Sequence, residues 1–145
     1  MDICIRGDNF AYLFTKHFLQ NIPIKQLKKK RCYPPRGFLW CACEYNMVSN
    51  LQGQDAMEAY DRIDKTGANE ITFDNSFKNN EIAMPLSLEH NSSYKIMCAG
   101  LMEHYVIGKN FSWCYIVTHE PGACGPYFIQ SEHRAGDNFS ACPNS

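Results

Sequence analysis

Residues 111–118, Phe-Ser-Trp-Cys-Tyr-Ile-Val-Thr, constrain the fold more than any other part of the chain. Phe111, Trp113, Tyr115 and Val117 fall on one side of an extended segment, and Ser112, Cys114, Ile116 and Thr118 on the other. Strict alternation of this kind marks a strand. Because both sides are largely apolar, the strand belongs in the middle of a sheet with cover on each face. EPGACGP, residues 120–126, turns the chain with two glycines and two prolines, and Tyr127-Phe128-Ile129-Gln130 returns as a partner strand.

Such a sheet needs helices against it, and three stretches carry the required period. Phe10, Leu13, Phe14, His17 and Phe18 are spaced i, i+3, i+4, i+7 and i+8, with Asp8 or Asn9 as the N-cap. Ala56, Ala59, Tyr60 and Ile63 form a second stripe whose outer side carries Asp55, Glu58, Asp61 and Arg62; Gly67 stops it. Tyr94, Met97, Cys98, Leu101, Met102 and Tyr105 form the longest, opened by Ser92 or Ser93 and closed by Gly108. Gly100 within it costs about 1 kcal/mol against alanine and signals a close backbone contact. His104 and Glu103 then fall on its solvated side.

Two further strands are expected. In GFLWCACEY, Leu39, Cys41, Cys43 and Tyr45 alternate with Trp40, Ala42 and Glu44, and NEITFD supplies a short one. Pro85 argues against a central strand in the asparagine-rich 75–87 segment. The result is a single α+β domain spanning 1–145. Its mixed or antiparallel sheet holds 38–45, 70–74, 111–118 and 126–130, and helices near 10–20, 54–64 and 93–106 pack mainly on one face. A basic arm occupies about 23–36, as loop or a short helix followed by loop, and a polar tail of about 131–145 is expected to be mobile.

Charge is unevenly placed. Residues 1–36 hold eight Lys and Arg against two acids, and residues 37–145 hold six against thirteen, for a net charge of −1. Lys25, Lys28, Lys29, Lys30, Arg31 and Arg36, with Tyr33 among them, could track a phosphate backbone, but the acidic remainder would repel it. No apolar run approaches the ~20 residues that span a bilayer, and MDICIRGDNF lacks a secretory-signal pattern, so a soluble cytoplasmic chain is expected. In that setting the eight cysteines are expected to be reduced and to serve as small buried hydrophobes. Cys98 sits on an apolar stripe, and Cys124, in the glycine-flanked turn, is the one accessible thiol.

Candidate chemistry is thin. His119 and Glu120 could supply a general base, yet adjacent strand residues point to opposite faces and do not easily meet one substrate. Cys41 and Cys43 with His119 and Cys124 could hold a metal, but their spacing is not that of paired structural ligands. No phosphate-cradling loop or paired-carboxylate helix motif is present, and no cofactor is expected.

The segments FLW, LQGQDAMEAYD, FSWCYIVTHE and GPYF resemble a family of small bacterial proteins of unknown function. Leu39-Trp40, Gly53 to Ala56, Phe111 to Glu120 and Gly125 to Phe128 carry the resemblance, which covers roughly residues 36–130. It implies a single small cytoplasmic domain without established chemistry. Cys41 and Cys43 stand where that family pattern has a histidine and an aromatic residue, which argues against a catalytic group on this segment. In size and style the chain is also similar to bacterial toxin-immunity proteins.

The expected function is therefore non-catalytic binding of a protein partner, an immunity protein neutralising a cognate toxin. Asp55, Glu58, Asp61, Asp64, His119, Glu120 and Tyr127 are the expected contact residues. A small metal- or thiol-dependent enzyme using His119, Glu120 and Cys124 is the alternative, and a nucleic-acid accessory protein working through the basic arm is the third.

Overall fold

A computed structural model describes residues 2–73, 82–98, 103–119, 124–131 and 138–142. At its centre is β6 (Trp113–Val117), buried at every position, as the alternation requires. It pairs antiparallel with β7 (Tyr127–Gln130), Tyr115 opposite Phe128, and with β5 (Glu103–Ile107), Val106 opposite Tyr115. The sheet continues outward to β3 (Asn69–Phe73) and β4 (Met84–Pro85) on one side and to β2 (Leu51–Gln52) on the other. Its order is β2-β7-β6-β5-β3-β4, antiparallel throughout. Pro85, which has no N–H to donate, lies on the edge strand. The chain is a single α+β domain.

Helix α1 (Gly7–Phe18) buries Phe10, Leu13, Phe14, His17 and Phe18, the stripe read from the sequence. Asn9 lies in its first turn, where Asn9 Oδ1 accepts the Arg6 N–H at 2.8 Å. Phe10 meets Tyr105 of β5 edge-on at 4.9 Å, an aromatic contact worth about 0.5–1.5 kcal/mol beyond the area it buries. Short helices α2 (Ile24–Lys29) and α3 (Cys41–Glu44) join the same layer through Leu27, Ala42 and Cys43. On the opposite face, α4 (Gln54–Arg62) buries Ala56 and Tyr60, and Tyr60 stacks on Tyr115 at 4.3 Å. Helix α5 (Ser93–Met97) adds Ile96 to that second core. Helices thus cover both faces of the sheet rather than mainly one.

Three segments differ from their sequence expectation. Residues 38–45 form no strand: Trp40 is already in helical backbone, and Glu44 N–H bonds the Trp40 carbonyl at 3.1 Å. Leu39, Trp40, Ala42 and Cys43 are buried, a helical spacing that the period-two count had concealed. The helix expected over 93–106 ends at Met97, and Glu103–Ile107 is a strand buried on both faces. Ser92 does cap α5, its hydroxyl accepting the Lys95 N–H at 3.4 Å. Gly108 is no helix stop. It turns β5 into β6, donates to the Trp113 carbonyl at 2.8 Å, and leaves no room for a Cβ against the Trp113 indole. Gly100 and most of the 75–87 segment lie outside the described residues.

The third difference lies in the segment expected to be a mobile tail. Asn138–Ser140 form β8, parallel to β1 (Asp2–Cys4), and Cys4 is disulfide-bonded to Cys142. Not all eight thiols are therefore free. Cys98, expected on a buried stripe, is exposed just after α5, and Cys124 is half-buried rather than the one accessible thiol. Among the described residues, no helix is long and apolar enough to cross a membrane.

Candidate functional site

Strand β5 places two neighbouring polar residues on opposite faces of the sheet. Glu103 points with Tyr105 and Ile107 into the layer of α1 and α3, and His104 points with Val106 toward α4 and α5. Both are buried, so neither lies on a solvated helix face as the sequence had suggested. Each is the centre of a carboxylate–histidine group.

On the first face the Trp40 indole N–H donates to Glu103 Oε2, and His119 Nδ1 lies 3.1 Å from the same oxygen. Phe38 and Tyr127 both stack with the indole, at 5.5 and 6.1 Å, and Tyr127 donates its hydroxyl to Glu44 at 3.1 Å. Glu103 Oε1 is buried without a hydrogen-bond partner among the described residues. Burial pushes the Glu103 carboxyl above the ordinary range, and the His119 and Trp40 contacts only partly reverse this. His119 therefore does meet a carboxylate, but one from sixteen residues earlier in the chain. Glu120 lies outside the described residues.

The thiols near this pocket are silent. Burial pushes Cys41 and Cys43 up to about 12, and neighbouring thiols add to the shift. Cys124 is held through its carbonyl, which accepts the Thr118 hydroxyl at 2.8 Å. Among the described residues, the donor atoms that do converge are not the thiols with His119 but Glu70, His90 and His104.

That second group sits on the other face. Glu70 of β3 and His104 of β5 are diagonal neighbours, since Thr72 is directly opposite His104 and Glu70 opposite Val106. His90 arrives from the 3₁₀ turn Leu88–Asn91, whose carbonyl at His90 accepts the Tyr60 hydroxyl. His90 Nδ1 is 2.6 Å and His104 Nε2 2.8 Å from Glu70 Oε1, while the Ser87 N–H holds Oε2 at 2.7 Å. Burial alone would raise the Glu70 carboxyl; contacts from His104, the Ser87 amide and His90 outweigh it and hold it at about 2. No sequence motif announced this group, because its members come from two strands and a turn. The signal available was the β-branched run Val106-Ile107 before Gly108, which marks β5 as a strand.

The expected contact residues are not brought together as one patch. Asp55 and Glu58 are exposed on α4. Asp61, also exposed, ties α4 to α5 by accepting the Ser93 N–H and hydroxyl at 2.9 Å each. Asp64 is exposed and accepts the Thr66 N–H and hydroxyl, which lower its pKa. Tyr127 has only 1% of its surface exposed and serves the Trp40 stack rather than an edge. The large apolar side chains left in solvent near α5 are Leu88, 88% exposed, and Tyr94, 67% exposed. In the basic arm, Lys25, Lys28, Lys29, Lys30, Arg31 and Arg36 are all exposed, and Lys28 Nζ lies 5.6 Å over the Tyr33 ring.

Residues 6–128 match the family described as Domain of unknown function (DUF4275), and the chain belongs to that family. The match takes in the basic arm as well as the central sheet. No curated protein and no solved structure matches the chain.

Proposed function

We propose that this member of the DUF4275 family is a non-catalytic binding protein of the immunity class, a cytoplasmic chain that neutralises a bacterial toxin by direct contact. One observation carries it. Asp55 and Glu58 stand exposed on α4, and the Asp61–Ser93 bonds join that helix to the segment bearing the exposed Leu88 and Tyr94. Exposed carboxylates suit a basic partner such as a nuclease domain, because the charges steer encounter, and an exposed ring such as Tyr94 supplies buried contact. The high pKa of Cys41 and Cys43 supports the same conclusion by removing the nearest nucleophiles.

The test is co-expression with a toxin domain encoded beside the gene. The chain restores growth, and the paired changes Asp55→Lys and Glu58→Lys abolish that protection while leaving thermal unfolding unchanged. Full protection by the double variant, or no complex on size exclusion at micromolar concentration, would sink the proposal. A second reading, acid–base chemistry at His119, is favoured by Glu103, which fixes the imidazole through Nδ1. Loss of protection with His119→Ala but not with the α4 variants would favour that reading instead.

A further inference from the structure

We infer that Glu70, His90 and His104 form a binding site for one divalent transition-metal ion of the zinc class. Two imidazoles and one carboxylate are a ligand set that zinc accepts with a fourth position left open. Here Glu70 Oε1, His90 Nδ1 and His104 Nε2 all lie within 4.8 Å of one another. Two ligands on a tetrahedral zinc ion sit about 3.3–3.6 Å apart, given metal–ligand lengths of roughly 2.0–2.2 Å. The carboxylate–histidine separations of 2.6 and 2.8 Å need open by roughly 0.5–1 Å to admit an ion.

His104 is 6% exposed, and its buried Nε2 meets Glu70 Oε1 at 2.8 Å, the same oxygen that His90 Nδ1 meets at 2.6 Å. Two imidazole nitrogens converging with one carboxylate oxygen in a largely buried site are arranged as metal ligands are. The surroundings fix the other members. The Ser87 N–H holds Glu70 Oε2 and so presents Oε1 to the histidines, and the Tyr60 hydroxyl anchors the turn that carries His90. Such supporting bonds orient ligands before an ion arrives.

There is also a way in. His90 borders an open hollow with Glu89, Tyr94, Lys95 and Cys98, and 22% of its side chain is exposed. Cys98 lines the hollow without joining the converging donors.

The experiment uses the full chain stripped with chelator and titrated with Zn²⁺ and Co²⁺ by calorimetry and absorption. One equivalent binds, Co²⁺ shows ligand-field bands without thiolate charge transfer, and Zn²⁺ at about a hundred times its Kd raises Tm by on the order of 10 °C. His104→Gln and His90→Gln each weaken binding by at least about 100-fold, the upper end of what losing a mere supporting partner costs. His90 lies on a surface turn, so its variant carries the test should His104→Gln fail to fold. The inference is overturned by absence of stoichiometric uptake, by wild-type affinity in His90→Gln, or by a thiolate band placing the ion on cysteine.

Discussion

Glu103 and Glu70 are both buried or half-buried carboxylates beside histidine, one strand apart, and their pKa values move in opposite directions, Glu103 upward and Glu70 downward. Glu103 lies against stacked Trp40, Phe38 and Tyr127, with both of its donors on one oxygen and the other oxygen unpartnered. Glu70 has both oxygens engaged, one by an amide and one by two imidazoles. Desolvation opposes charge at each. Glu103 is the more deeply buried of the two, its side chain 1% exposed against 12% for Glu70, and Glu70 has donors on both oxygens; together these raise one pKa and lower the other.

The largest expected effect comes from Trp40→Ala, which empties the aromatic stack and takes a donor from Glu103. It costs about 3–5 kcal/mol in urea unfolding, and a loss below about 1 kcal/mol would mean that the indole is not integral to the pocket. Next is the acid response of chelator-treated protein. The Glu70 pKa is depressed in the folded state, so its stabilisation is present above the unfolded value of 4.5 and is lost as pH falls toward about 2. Wild type should lose roughly 2–3 kcal/mol across that window relative to Glu70→Gln; parallel pH profiles would remove the contrast.

A smaller effect isolates the amide. Ser87 has φ −74° and ψ 154°, which proline also adopts, so Ser87→Pro deletes the N–H donor to Glu70 with little change in backbone shape. A cost of about 1–2 kcal/mol is expected, since the lost bond is to a charged group. The Glu70 carboxyl should also titrate higher by NMR. Smallest is Glu103→Gln. Because the folded pKa of Glu103 is raised, the wild type loses stability as pH rises through that value, and the amide variant does not. At neutral pH the variant should match or exceed wild type, within about 1 kcal/mol. A strongly destabilised Glu103→Gln would show that Glu103 is held charged after all.

The centre of the sheet was legible in the sequence because β6 and β7 alternate cleanly and the helical stripes of α1 and α4 face a single core each. Period misled where a buried segment is short. Leu39 to Cys43 satisfy a period of two and a helical spacing almost equally well, and tertiary packing, with Leu39, Ala42 and Cys43 in the core and Trp40 on Glu103, goes with the helix. Tyr94 to Tyr105 hold a helical period that spans two elements by accident, which hid β5 and with it both carboxylate–histidine groups. His119 could be singled out as a polar residue ending an apolar strand. Its partner could not, because strand register, not proximity in sequence, brings Glu103 to it.

The cross-link between Cys4 and Cys142 closes the chain into a covalent ring around the whole sheet. A mechanical load applied at these two residues would pass through sulfur and leave the intervening fold unstretched. Under reductant the same load would fall on the three-residue β1–β8 pairing, which is parallel and held at one end, so that it peels open bond by bond and hands the tension to the six-stranded sheet.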